Sequence, residues 1–256
     1  MIHIERKAQN AVKNVLSFIY FSGNICIMYK IDHLLNANEE VGVIMKDFYV
    51  DLHIHIGRTA SGKPVKITGS KTLTLHTILQ CASSQKGLDM IGVIDCHSPE
   101  VLVEIEGLLK RGKMIELAEG GVRFQDTTLL LGSEIEVYDS YCHGPIHVLA
   151  YFPTVEKMKA FSDWMSNHVK NISLSSQRIY VEGRALQQKV YEYDGLFVPA
   201  HVFTPFKSLY GKGVTRSLTE VFDPNYIDAI ELGLSSDTQM VRNIKEFQQY
   251  PFLTNS

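Results

Sequence analysis

Asp51, His53 and His55 alternate with Leu52, Ile54 and Ile56 in the stretch FYVDLHIHIG, residues 48–57. In an extended strand successive side chains point to opposite faces, so the acid and both imidazoles are expected on one face and the aliphatic residues on the other. Two imidazoles at that spacing can close on one metal ion. A lone His-x-His pair is more commonly a pair of half-buried histidines bonded to backbone carbonyls, so the reading depends on further donors. They stand at the ends of other apolar runs: Asp95 and His97 after MIGVI, Glu134 in LLGSEIE, His147 in GPIHVLAYF and His201 in GLFVPAH. Imidazole nitrogens with carboxylate oxygens suit zinc, manganese or iron, and His-rich sets lean toward zinc. A carboxylate shared between two ions about 3.5–4 Å apart activates water and stabilises in-line displacement at phosphorus. Phosphoester hydrolysis is therefore the chemistry within reach. Against it, Asp95 could simply cap a turn, Glu136 reads as a solvated alternative to Glu134, and His76, His143 and His168 read as ordinary surface or helix residues.

The elements that would position these donors follow from periodicity. From Met45 onward short apolar runs alternate with helical patterns, the signature of βα units and a mainly parallel sheet. Seven runs read as strands: Phe48–His53, Met90–Asp95, Leu129–Glu136, His147–Tyr151, Leu196–Ala200, Ile227–Leu232 and Phe252–Thr254. In a parallel βα barrel the C-terminal strand ends converge on one mouth, which would gather donors dispersed in sequence. His147 lies near the start of its run, so its place at that mouth depends on where the strand begins. Ser98 and Pro99 open a helix that Gly112 stops. Thr154 opens another, whose Met158, Phe161, Trp164 and Met165 form a stripe suited to core packing, and a third is expected over Asp237–Gln249.

The 256 residues and an apolar fraction of 45% fit one large domain or two small ones with a substantial core. A net charge of −3 excludes a generally basic nucleic-acid coat and leaves room for a local cationic groove. Such a groove could use Lys207, Lys212 and Arg216, interleaved with Phe203, Phe206 and Tyr210, with Arg178 and Arg184 as weaker candidates. Four cysteines without a C-x-x-C pair argue against a zinc ribbon or a secreted disulfide framework and fit a reducing cytoplasm. Leu16–Tyr29 is too short and too interrupted to span a bilayer, and no cleavage motif follows it, so no membrane association is expected. Residues 1–44 show no βα pattern. Glu39-Glu40-Val41-Gly42 can be encoded by a purine-rich ribosome-binding sequence just before the Met45 codon, so residues 1–44 are expected to be a non-native leader or irregular extension and 45–256 the domain proper.

The segments DLHIHIG, GLDMIGVIDCHS, GSEIE, HVLAYF and VPAH resemble the PHP (polymerase and histidinol phosphatase) superfamily. The longer runs IGRTASGKPVKITGSKTLTL, LSSQR and GLFVPAHVFTPFKSLYGKG are similar to its endonuclease Q group, over about Met45 to Ser256. The resemblance implies an α/β fold, a distorted seven-stranded, TIM-like βα barrel. It implies that His53, His55 and Glu134 serve catalysis, His53 and His55 binding a first divalent ion, Glu134 bridging to a second, and His147 and His201 completing the second. Asp95 and His97 correspond loosely to a Thr-Asp-His segment that would serve a third ion, here with Cys96 between acid and imidazole. The implied activity is metal-dependent nicking of DNA on the 5′ side of deaminated bases (uracil, hypoxanthine, xanthine) and at abasic sites. An Asp-Ala-His segment would follow Ser256, and its aspartate would complete the first metal site. The expectation is thus a barrel incomplete at its C-terminal end, with impaired activity. A noncatalytic remnant and a small-molecule phosphatase of the histidinol phosphate type are the alternatives.

Overall fold

The computed structural model describes residues 19–22, 24–27, 46–234, 236–241 and 244–253. The reading of residues 1–44 falls largely outside these. Its two described pieces, Ile19–Ser22 and Asn24–Ile27, pair antiparallel, and the second pairs with Lys46–Asp47. No described helix is long and apolar enough to cross a membrane.

All seven expected strands form: β1 Val50–Ile54, β2 Met90–Val93, β3 Thr127–Val137, β4 Ile146–Phe152, β5 Leu196–Pro199, β6 Ile230–Glu231 and β7 Phe252–Leu253. Their pairing corrects the mainly parallel expectation. The β1–β2, β2–β3 and β6–β7 ladders are parallel, but β4 is antiparallel to both β3 and β5. Of these seven, β4 alone runs against its neighbours, and the short strand Val122–Phe124 adds a further antiparallel pairing to β3. Its beginning lies where β3 and β5 end, which places His147 with the strand-end donors. Among the described residues barrel closure is not seen: β5 and β6 are linked by single backbone bonds, Asp228 N–H to Phe197 O at 3.0 Å and Val202 N–H to Glu231 O at 2.9 Å, rather than by a ladder.

The strands nevertheless curl around one interior. Leu52, Met90, Leu130, Leu149, Tyr151, Leu196, Val198 and Leu253 form one buried cluster without helical residues. The alternate residues, Ile91, Val93, Leu129, Leu131, Val148, Ala150, Phe152 and Phe197, pack in a second cluster with the helices. This period-two division is what a sheet buried on both faces requires.

β1 departs from strict alternation. Leu52 faces the interior, whereas Ile54 and Ile56 join the helix-side cluster, so the three do not share a face as expected. The cause is a register shift between Asp51 and Ile54 in the pairing with β2. A bulge re-aims the residues it encloses, and here it brings His53 and His55 to the interior while Asp51 accepts the His53 N–H at 3.2 Å. The bulged backbone needs room and a partner. Gly92 gives the room, since a Cβ there would meet Leu52 O at 2.5 Å. Tyr151 gives the partner, its hydroxyl donating to Leu52 O at 2.6 Å. Gly92→Ala is expected to destabilise the fold by about 1–3 kcal/mol through overpacking, read as a lower denaturant midpoint at unchanged m-value; a wild-type midpoint would disprove the close-approach account.

The helices form for local reasons. α1 (Leu75–Gln80) begins at a Thr74–Thr77 capping box. α2 (Pro99–Lys110) starts at Ser98 and Pro99 as read, and Gly112 beyond its end has φ +65°. In α3 (Val155–Ser166) the Thr154 hydroxyl caps Lys157 N–H, and Met158, Phe161 and Met165 are buried in the core, with Trp164 against it. α4 (Gly183–Glu192) precedes β5. The expected helix over 237–249 is a correction. The described residues there form only Thr238–Val241 and a 3-10 turn, Lys245–Phe247, with Ile244 extended at ψ 101°. Tertiary anchoring wins over periodicity: Phe247 is buried among Phe203, Tyr210 and Phe252, and the Tyr250 hydroxyl donates to Pro224 O at 3.0 Å.

Candidate metal centre

Glu134 stands at the middle of the strand-end cluster, its side chain 2% exposed. Its Oε1 lies 3.0 Å from His147 Nδ1, 3.4 Å from His53 Nε2 and 3.5 Å from His201 Nε2, and its Oε2 lies 3.5 Å from His55 Nε2. Two groups of three result, His53–His55–Glu134 and Glu134–His147–His201, each offering atoms within 4.8 Å of one another. Glu134 is common to both.

Buried carboxylates fix the imidazoles of the first group from behind. Asp95 accepts from His55 Nδ1 at 3.1 Å, and Glu231 accepts from His53 Nδ1 at 2.8 Å. Each bond places a proton on Nδ1, so that Nε2, turned toward Glu134, is the nitrogen each ring would offer to an ion, the carboxylate–histidine arrangement of metal sites. In the second group, the His201 ring pairs through Nδ1 with Thr204 Oγ1 at 3.1 Å, and its backbone N–H donates to Glu231 Oε2 at 2.8 Å. That backbone has φ +31°, a left-handed conformation uncommon for a residue with a side chain. Gly233 makes it possible, because a Cβ there would meet His201 Cβ at 2.7 Å.

The electrostatics are those of a cation receptor. Burial would raise the Glu134 carboxyl, yet the bonds from His147, His201 and His53 outweigh it and hold the group well below the usual carboxylate range. Burial opposes charge on His53, but its bonds to Glu134 and Glu231 push it up to about 10. His147 is raised in the same way: burial opposes, and Glu134 and Glu136 prevail. Asp95 is lowered, burial being overcome by His55. His147 Nε2 is buried without a hydrogen-bond partner, 3.7 Å from Glu136 Oε2. Four imidazoles, a shared anionic carboxylate and an orphaned buried nitrogen fit divalent metal ions.

Other sequence candidates fall elsewhere. His97 joins neither group; it is fully buried, with Nδ1 bonded to Ser133 Oγ at 2.9 Å and Nε2 to Leu174 O at 3.3 Å, and burial lowers its pKa. Asp95 stands behind His55 rather than in a group. Glu136 is not a solvated alternative to Glu134: its carboxylate pairs with Lys207 at 2.9 Å and is held down at about 2 by His147 first and Lys207 besides. Lys207, Lys212, Arg216 and Arg178 are all exposed. Arg178 lies over the Tyr138 and Tyr180 rings at 4.6 and 5.4 Å, and Lys212 over Phe206 at 5.3 Å. Phe206 is 70% exposed, whereas Phe203 and Tyr210 stack on each other and pack on Phe247, so they offer no open stacking face. Arg184 donates to Thr219 O at 2.8 Å.

Sequence reading missed Glu231, Lys66, Ser175 and Ser176. Glu231 had a signal, a carboxylate within the apolar run IDAIELGL. The others sit in polar loops that carry none. Ser175 Oγ lies 3.1 Å from His55 Nδ1, and Ser176 Oγ donates to Glu134.

The mixed α/β fold, with histidines and acids gathered where the strands of its central sheet end, carries a candidate site for divalent metal. No family model matches the chain. It is 62% identical over 212 residues to the uncharacterised protein YqxK of Bacillus subtilis strain 168, covering 83% of this chain and 55% of that protein. Among solved structures it is similar to endonuclease Q bound to a 27-mer duplex substrate with an abasic lesion at the active site, with TM-score 0.67, 29% identity, and 82% of this chain and 48% of that one covered. The lesion-specific endonuclease of Pyrococcus furiosus gives TM-score 0.65 and 28% identity with the same coverage. The chain spans about half the length of these relatives. In fold and in sequence it is similar to endonuclease Q.

Proposed function

We propose that this chain carries the catalytic centre of a metal-dependent phosphodiester hydrolase that nicks DNA at damaged positions, deaminated bases and abasic sites. The observation that carries the reading is the single carboxylate of Glu134 shared by two imidazole-bearing groups. His53, His55 and Glu134 would hold one ion and Glu134, His147 and His201 another, zinc being the ion this donor set favours. Bound there, the ions would supply an activated water and neutralise charge on the phosphodiester. The protein's own part is positional. Asp95 and Glu231 keep the Nε2 lone pairs of His55 and His53 directed inward, and the burial of the cluster limits competing solvent. Lys207, Lys212, Arg216 and Arg178 would contact backbone phosphates, with Phe206 and the Tyr138–Tyr180 pair as stacking surfaces for unpaired bases. The DNA-bound endonuclease Q neighbour supports this substrate class.

The test is incision of end-labelled duplexes carrying one abasic site, uracil or hypoxanthine, against an undamaged control, with zinc- or manganese-loaded protein. Nicking of the damaged duplexes that a chelator abolishes is the expected result. Hydrolysis of a phosphomonoester such as histidinol phosphate, with every duplex left intact, would replace the nuclease reading by the phosphatase one.

A further inference from the structure

Lys66 belongs to the loop that doubles back from the end of β1. Its backbone N–H donates to Ile56 O at 2.8 Å, and Val65 N–H donates to Gly57 O at 3.0 Å. Gly57 makes the fold-back possible, since a Cβ there would lie 1.9 Å from Ser70 O. The loop delivers the Lys66 ammonium into the candidate metal centre, where Nζ donates to Ser176 Oγ at 2.7 Å, to His55 Nε2 at 3.1 Å and to Glu134 Oε2 at 3.3 Å. The side chain is 26% exposed, so the site is open to solvent along it.

Two of those acceptors are the atoms that His55 and Glu134 would offer to an ion. The single lone pair of His55 Nε2 cannot accept an ammonium proton and bind a cation at the same time, and at Glu134 Oε2 two positive charges at that spacing repel. Lys66 must yield the pair when an ion binds there. Its flexible four-carbon stem allows that, and the exposed side of the site is the direction open to it.

We propose that Lys66 is a cationic arm of the first metal group: its ammonium competes with the ion for His55 Nε2 and Glu134 Oε2, and once displaced it grips a non-bridging oxygen of the substrate phosphate. The second half rests on the phosphoester reading above; the first does not. Lys66→Met keeps the length of the stem and removes the charge, and Lys66→Arg retains a charge. Titration of zinc against a chromogenic chelator reads the first half. Lys66→Met is expected to bind zinc about tenfold more strongly than wild type, and Lys66→Arg to stay near wild type. Equal or weaker binding by Lys66→Met would overturn the competition. Inorganic phosphate binding to the manganese-loaded proteins reads the second half. A loss of about tenfold in Lys66→Met, with retention in Lys66→Arg, is expected, and unchanged phosphate binding would overturn the grip. Neither readout requires DNA cleavage, so a failure of the nuclease reading leaves both interpretable.

Discussion

Glu134→Gln is expected to abolish stable metal loading at both groups and to lower any hydrolytic rate by more than about 100-fold. Loss of an outer-shell partner already costs about 10–100-fold in metal affinity or activity, and Glu134 is the one residue common to both groups. The substitution conserves shape but removes the negative charge that three histidines hold down. A carboxamide has a single acceptor oxygen where the carboxylate has two, and its NH₂ would face imidazole nitrogens that ought to face an ion. Metal content of the purified variant, measured beside wild type, checks this directly. Glutamine is isosteric, so the variant should keep a wild-type far-UV spectrum and a cooperative melt. Wild-type metal content in a folded Glu134→Gln protein would remove Glu134 from the centre of the site, and the hydrolase reading with it.

The fold was legible wherever burial imposes a simple period. The runs from Met90, Leu129 and Leu196 are apolar because they are buried on both faces, and they became β2, β3 and β5 close to their expected bounds. Strand direction was not legible. The direction of β4 is set by a short connection from β3 and by pairs such as Glu136 with His147, neither of which hydrophobic periodicity encodes. The bulge in β1 was hidden as well. It depends on Gly92 of the next strand and Tyr151 across the interior, partners remote in sequence. The helix expected over 237–249 failed because Phe247 and Tyr250 are held by tertiary contacts that compete with a regular stripe.

Of the candidate site, the five donors His53, His55, Glu134, His147 and His201 were legible because imidazoles and acids at the ends of apolar runs have few other reasons to be there. His97 met the same criterion and went elsewhere, satisfied on both ring nitrogens by Ser133 and Leu174. It links β3 to the Leu174 loop, a buried polar bridge that sequence alone cannot tell from a ligand. Lys66 could not be read, since only the fold-back of its loop onto Ile56 places it beside His55.

Glu231→Gln is the second substitution with a large expected effect, because one carboxylate serves both groups without belonging to either. Glu231 is fully buried; Oε1 accepts from His53 Nδ1 and Oε2 from the His201 backbone N–H, each at 2.8 Å. Both partners are donors, and glutamine presents one oxygen and one NH₂. One of the two donors must then face another donor, which costs about 1–3 kcal/mol for a buried group and frees one imidazole to turn. If His53 loses its partner, its Nδ1 proton is no longer fixed and the Nε2 lone pair loses its direction toward Glu134. If His201 loses it, the left-handed backbone at φ +31° loses an anchor. Either way metal affinity should fall by about 10–100-fold, seen as a rightward shift in a chelator-competition titration, while saturating metal restores loading. That restoration separates a residue that orients ligands from one that binds the ion, and Glu134→Gln should show none of it. An unshifted titration for Glu231→Gln would mean that the carboxylate behind His53 and His201 has no part in holding metal.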